Sequence, residues 1–452
     1  MSGAVEGLMR AFAWTSLVLV AGCAGEAPPV TGDDEPDAGM MMGEQPTEPV
    51  VRSIVGGSFR PLAAFTGIEG RALLVRKLDG TSEVSIALNG GTAGTEYVAH
   101  VHIAPCAYQI VTPPAVATFT GHYMIDPAQT TTIEANELWV KPTTSATGMI
   151  VGSATFQHIP RDEAISVVVH DPVMGKMACA DLYANEVAST IEFSGQVAAF
   201  PDAGIDIGVT GTVTAARTDT STTFNLTLAG LTAANTYEAH LHNQPCEVLA
   251  GGGHYMIDPT VPPPAVEANE VWFTVPLNST TATLPVTVPF GARTDAQSIV
   301  AHRVEDNAGV ITKVKIACGN LTRTTPIAPF ETTGSAVALP ASAGMNLTGT
   351  ALMTRKFNGV TEVAVVMTGL APNTAYAAHV HNQPCSFEAG GGHYKFDPAS
   401  TEPTNEMTFE LASNAEGTAS DSTWVAKVAT AEAQSLIVHG AESARLACFD
   451  LE

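Results

Sequence analysis

Past residue 51 the chain alternates between apolar and polar positions with a period of two. Thr223 to Leu228 is typical: Phe224, Leu226 and Leu228 fall on one side of a strand, Thr223, Asn225 and Thr227 on the other, and Ala229-Gly230 then breaks the run. Such alternation is that of a strand with one face buried, and the Gly, Asn and Asp breaks are turn signals. The pattern predicts short antiparallel strands and, for each unit, a sandwich or barrel.

The same pattern occurs three times. YVAHVHIAPC over 97–106 returns as YEAHLHNQPC over 237–246 and YAAHVHNQPC over 376–385, at intervals of 140 and 139 residues. Each block is followed by Gly-His-Tyr, at 121–123, 253–255 and 392–394, with an Asp-Pro three residues on. Each unit then closes with an apolar run, a histidine and an Ala-Cys: His170 with Cys179, His302 with Cys318, His439 with Cys448. A period this long is a domain rather than a solenoid repeat. The predicted organisation is therefore three β domains over 52–187, 188–326 and 327–452.

Residues 1–22 have the features of a targeting segment, with Arg10 closing a short n-region and Ala11 to Val20 forming an apolar stretch too short to span a bilayer. Val20-Ala21-Gly22-Cys23 looks like a bacterial lipobox, which makes Cys23 the expected lipid anchor; an ordinary signal peptide with an incidental cysteine is the alternative. The stretch 23–51 is expected to be a disordered tether, since Ala24 to Val50 holds seven acids, five prolines and no base. The protein is thus expected to be exported and membrane-anchored, on the periplasmic face or the cell surface.

Composition narrows the partners. Only 14% of residues are charged, yet the net charge is -25. A polyanionic surface repels nucleic acid and anionic lipid, leaving the lipid anchor as the expected membrane contact. No obligate protein partner is evident from the sequence.

Twelve of the thirteen histidines occupy four slots repeated three times; His158 stands outside and reads as a packing or surface residue. In a strand, residues i and i+2 share a face, so each HxH pair presents two imidazoles the same way. With a third histidine from the Gly-His-Tyr loop and a fourth from the closing strand, an all-imidazole site forms that suits Cu, Zn, Fe or Ni but not Ca or Mg. The bland reading of any single histidine here is a satisfied core residue. The cysteines pair by slot as Cys106 with Cys179, Cys246 with Cys318 and Cys385 with Cys448. In an exported chain these are expected disulfides, each stabilising its unit by about 4 kcal/mol; a cysteine ligand to copper is the alternative.

Taken together, the HVH strand, the Gly-His loop with its proline and the Val-His strand before an Arg-x-Ala-Cys ending resemble the copper/zinc superoxide dismutases. The likeness covers about 400 residues as three domains, and it implies three tandem Greek-key β-barrel/sandwich domains. It also implies copper ligands: His100, His102, His122 and His170; His240, His242, His254 and His302; His379, His381, His393 and His439. The family's active-site arginine slot holds Lys176, Lys315 and Arg445. No unit has the further histidines of the zinc-binding loop, and the stretch from the last histidine to the closing cysteine is short, so the closest likeness is to the copper-only branch. About one copper per domain and no zinc are expected. In that branch a glutamate supports the loop histidine, a role that falls on Glu137, Glu270 and Glu406 of the three Asn-Glu pairs.

The activity implied by this resemblance is dismutation of superoxide to dioxygen and hydrogen peroxide, with the three cations orienting the anion. Two other readings use the same chain: non-catalytic copper binding at the cell surface, and a metal-free array of β domains acting as an adhesin or spacer. Repeat 3, which keeps the arginine, is the expected best site for activity.

Overall fold

The computed structural model describes residues 45–452 apart from 63–64, 110–120, 128, 130–133, 186–189, 219, 259–266, 308 and 403–404. Cys23, the targeting segment and most of the tether lie outside the described residues. The chain is all-β, and every strand pairing is antiparallel.

Repeat 3 shows the plan most simply. Its eight strands run Thr408–Ala412, Ala375–His381, Ser435–His439, Arg445–Asp450, Phe330–Ala338, Thr348–Arg355, Thr361–Thr368 and Ala419–Val425 across one nearly closed sheet. Strands distant in sequence lie side by side, as a Greek-key connection requires. Repeat 2 has the same order, from Trp272–Thr274 to Thr281–Val288, with Thr322–Arg323 as an extra short strand beside Ile191–Ala199. In repeat 1 the equivalent strands divide into two five-stranded sheets.

Each repeat has its own apolar core, and the alternation read from sequence is what fills it. Phe224, Leu226 and Leu228 are buried in repeat 2 while Asn225 is exposed. The HxH strand differs because it is buried on both faces. Ala99 and Val101 enter the core of repeat 1, and His100 and His102, equally inaccessible, lie on the opposite face beneath the Gly-His-Tyr loop. The histidines are therefore not core residues of the barrel.

Candidate metal centre

Three features of the backbone gather each histidine quartet. The HxH strand pairs with the closing strand, setting Val98 opposite His170, Glu238 opposite His302 and Ala377 opposite His439. The loop histidine then joins the second HxH residue through an isolated bridge: His102 with His122, His242 with His254, His381 with His393. Finally, the tyrosine after the loop histidine anchors it. Tyr123, Tyr255 and Tyr394 are buried, and their N–H groups donate to Val101, Leu241 and Val380, each at 2.8 Å. Because neighbouring residues of an extended segment point to opposite sides, sinking the tyrosine turns the histidine out toward the other three.

In each repeat one ligand nitrogen from every histidine lies within 4.8 Å of those of the other three. All twelve predicted ligands thus converge, four by four, and each cluster can hold a metal ion. Second hydrogen bonds fix the rings. Glu137 Oε2 lies 2.6 Å from His122 Nδ1, Glu270 Oε2 2.7 Å from His254 Nδ1 and Glu406 Oε2 2.7 Å from His393 Nδ1. An Nδ1–H donated to the carboxylate leaves Nε2 as the lone-pair donor toward the cluster. Two of the closing histidines do the same with backbone carbonyls: His170 Nδ1 is 3.3 Å from Met174 O, and His439 Nδ1 3.2 Å from Ser443 O.

What remains at the centre is a set of buried nitrogens without protein partners: both ring nitrogens of His100, His170 Nε2, His242 Nε2, His302 Nδ1 and His379 Nδ1. Buried polar atoms normally find partners, and lone pairs converging on one point are what a cation would satisfy. Burial, followed by repulsion from the neighbouring imidazoles, holds His100 and His240 down to about 2, and burial holds His302 at about 3 and His170 and His379 at about 4. These rings are neutral at pH 7, the form that coordinates metal. Four imidazoles are a borderline donor set, which fits a transition metal ion.

The Asn-Glu pairs divide their labour. The asparagine clamps the loop: Asn136 Oδ1 accepts from Asp126 N at 2.8 Å and its Nδ2 donates to Asp126 O at 3.1 Å, and Asn269 and Asn405 grip Asp258 and Asp397 alike. The glutamate next to it is thereby aimed at the histidine.

The three cations stand beside the clusters, and each pairs with the closing histidine next to a β-bulge: Lys176 with His170, Lys315 with His302, Arg445 with His439. Burial, then repulsion from the neighbouring imidazoles, depresses the His102, His242 and His381 rings, and the charge of Lys176, Lys315 and Arg445 adds to it. They also tie down the loop. Lys315 Nζ donates to the carbonyls of Leu249, Ala250 and Gly252, and Arg445 to those of Glu388, Ala389 and Gly391. Leu249, Ala250, Glu388 and Ala389 have φ between 46° and 52°, unusual for residues with a side chain and a sign that the loop is held in shape. In repeat 1 the partner is Gln109 Oε1, 2.6 Å from Lys176 Nζ.

The six cysteines form Cys106–Cys179, Cys246–Cys318 and Cys385–Cys448. Their sulfurs are bonded to one another, which removes the cysteine-ligand alternative. His158 packs outside the cluster, its Nε2 2.8 Å from Tyr123 Oη.

Two tryptophans that the repeated motifs did not mark cover the sites unequally. Trp139 pairs with His100 and Trp272 with His240, ring centroids 4.1 and 3.8 Å apart, whereas the residue opposite His379 is Thr408. His100 and His240 are inaccessible, and His379 is partly open. The signal was present two residues after each glutamate, as Trp, Trp and Thr. No family model and no curated protein matches the chain.

Proposed function

We propose that the chain is a copper-dependent superoxide dismutase with three tandem four-histidine sites that lack zinc, exported and held at a membrane by a lipid on Cys23. The observation that carries this reading is the convergence of four imidazoles in every repeat, with a carboxylate behind the loop histidine and a cation beside the closing one. Bound copper supplies a one-electron couple, which is the chemistry needed to convert two superoxide ions and two protons into dioxygen and hydrogen peroxide.

The protein's part is orientation and charge. Glu137, Glu270 and Glu406 fix which ring nitrogen faces the metal; the buried rings stay neutral and available at working pH. Lys176, Lys315 and Arg445 give local attraction to a small anion against the field of a chain carrying -25. Repeat 3 favours turnover, because Thr408 leaves His379 partly open and Arg445 presents a guanidinium fork. At repeats 1 and 2 the tryptophan cover favours a second reading, copper held without turnover.

The test is superoxide decay measured on the copper-loaded full chain and on a variant with His102, His242 and His381 all changed to Ala. Decay catalysed by the wild type and lost in the variant supports dismutation. Copper retained by a wild type that leaves superoxide decay at its spontaneous rate supports holding instead.

A further inference from the structure

Repeats 1 and 3 meet along an apolar seam where Phe330 packs with Val51, Ile54, Leu73 and Val75, and Ala431 N donates to Ser85 Oγ at 3.0 Å. Two arginines are buried at this seam, Arg71 at 8% exposure and Arg355 at 0%. Among the described residues neither forms an ion pair, and the NH1 atom of each is inaccessible and without a hydrogen-bond partner. The strongest charged neighbour of Arg355 is Arg71 itself, a like charge. Glu452 and Asp450 attract Arg71 without forming an ion pair with it.

A comparison within the chain shows what is missing. Arg76 fills the same slot in repeat 1 and is fully engaged: Nε donates to Pro160 O, NH2 to Arg161 O and NH1 to Ser53 Oγ, the residue paired with it across the sheet. Arg355 repeats the first two bonds, to Ala429 O and Thr430 O. Its cross-strand partner, however, is Phe330, which has no acceptor to offer NH1. Two residues along the same strand and on the same face, Thr332 is buried at 4% with its hydroxyl also unpartnered.

We propose that this seam binds one small monovalent anion of chloride's size, held between Arg71 NH1 and Arg355 NH1 with the Thr332 hydroxyl as a further donor. Two guanidinium NH1 groups and a hydroxyl lie buried there without acceptors, and the Glu452 and Asp450 carboxylates that attract Arg71 form no ion pair with it, so donors and positive charge are left over for an anion. One negative charge relieves the repulsion between the guanidiniums and satisfies buried N–H groups that otherwise lack partners. A bulky or multiply charged anion would need more donors than these. Binding there fastens repeat 3 to repeat 1.

The experiment is thermal unfolding of the full chain in increasing sodium chloride or bromide, with sodium gluconate keeping ionic strength constant. A saturable rise in Tm with either halide, absent in Arg355→Met, is the expected result. Equal melting curves in chloride and gluconate would overturn the proposal. Bromide-soaked crystals of the wild type give a reading that needs no variant: an anomalous peak between Arg71 and Arg355 supports the site, and an empty seam in fully soaked crystals overturns it.

Discussion

His393 Nδ1 lies 2.7 Å from Glu406 Oε2, and the relationship recurs as His254 with Glu270 and His122 with Glu137. A carboxylate behind a ligating imidazole fixes its tautomer and raises its basicity. Glu406→Gln keeps the volume and loses the charge. We expect metal affinity at repeat 3 to fall by about 10- to 100-fold, measured by competition with a chelator.

The unequal cover of the three sites gives a second prediction. Thr408→Trp reproduces in repeat 3 the ring that shields His100 and His240. It should slow metal exchange and superoxide decay at repeat 3, whereas Trp272→Thr should speed exchange at repeat 2. Chelator-driven metal loss, followed by stopped flow, separates the two; unchanged rates would show that the rings do not control access.

Arg445 has two tasks that its substitutions separate. It supplies charge, and it holds the Gly391 carbonyl, which lies 3.1 Å from His381 Nδ1. Arg445→Ala should therefore lower metal affinity by about 10-fold as well as the rate of superoxide decay, while Arg445→Lys keeps most of the affinity. On the dismutase reading the attraction is local and a surface carrying -25 opposes an anionic substrate, so raising salt to about 0.15 M should slow the wild-type rate little or increase it.

A pH dependence follows from Glu432. In repeats 1 and 2 the matching carboxylates pair with Arg161 and Arg293, but repeat 3 has Thr430 in the arginine slot, and burial pushes Glu432 up to about 7. A carboxyl raised in the folded state binds its proton more tightly there than in the unfolded chain. Its contribution is complete below the ordinary value near 4.5 and is lost as pH rises through 7. Glu432→Gln should flatten this loss, on the order of 2 to 3 kcal/mol between pH 5 and pH 8, in chemical unfolding of the full chain.

The all-β character and the ligand quartets were legible because strand alternation and motif recurrence are local properties of the sequence. Three copies turned weak single signals, such as His122 before Tyr123, into a pattern. The glutamates were legible through the resemblance. Trp139 and Trp272 were not, because their effect depends on the register that sets them opposite His100 and His240. The seam at Arg71 and Arg355 was invisible for a stronger reason: it arises from how one barrel packs on another, which no repeat encodes by itself.

On the proposed function each imidazole quartet acts as one copper site. The most direct test is equilibrium dialysis of the full chain against copper and zinc together, followed by elemental analysis. Saturation at about three copper ions per chain, one per quartet, with no zinc retained, is the expected result. A chain that keeps zinc in those sites, or retains no copper after dialysis, would contradict it.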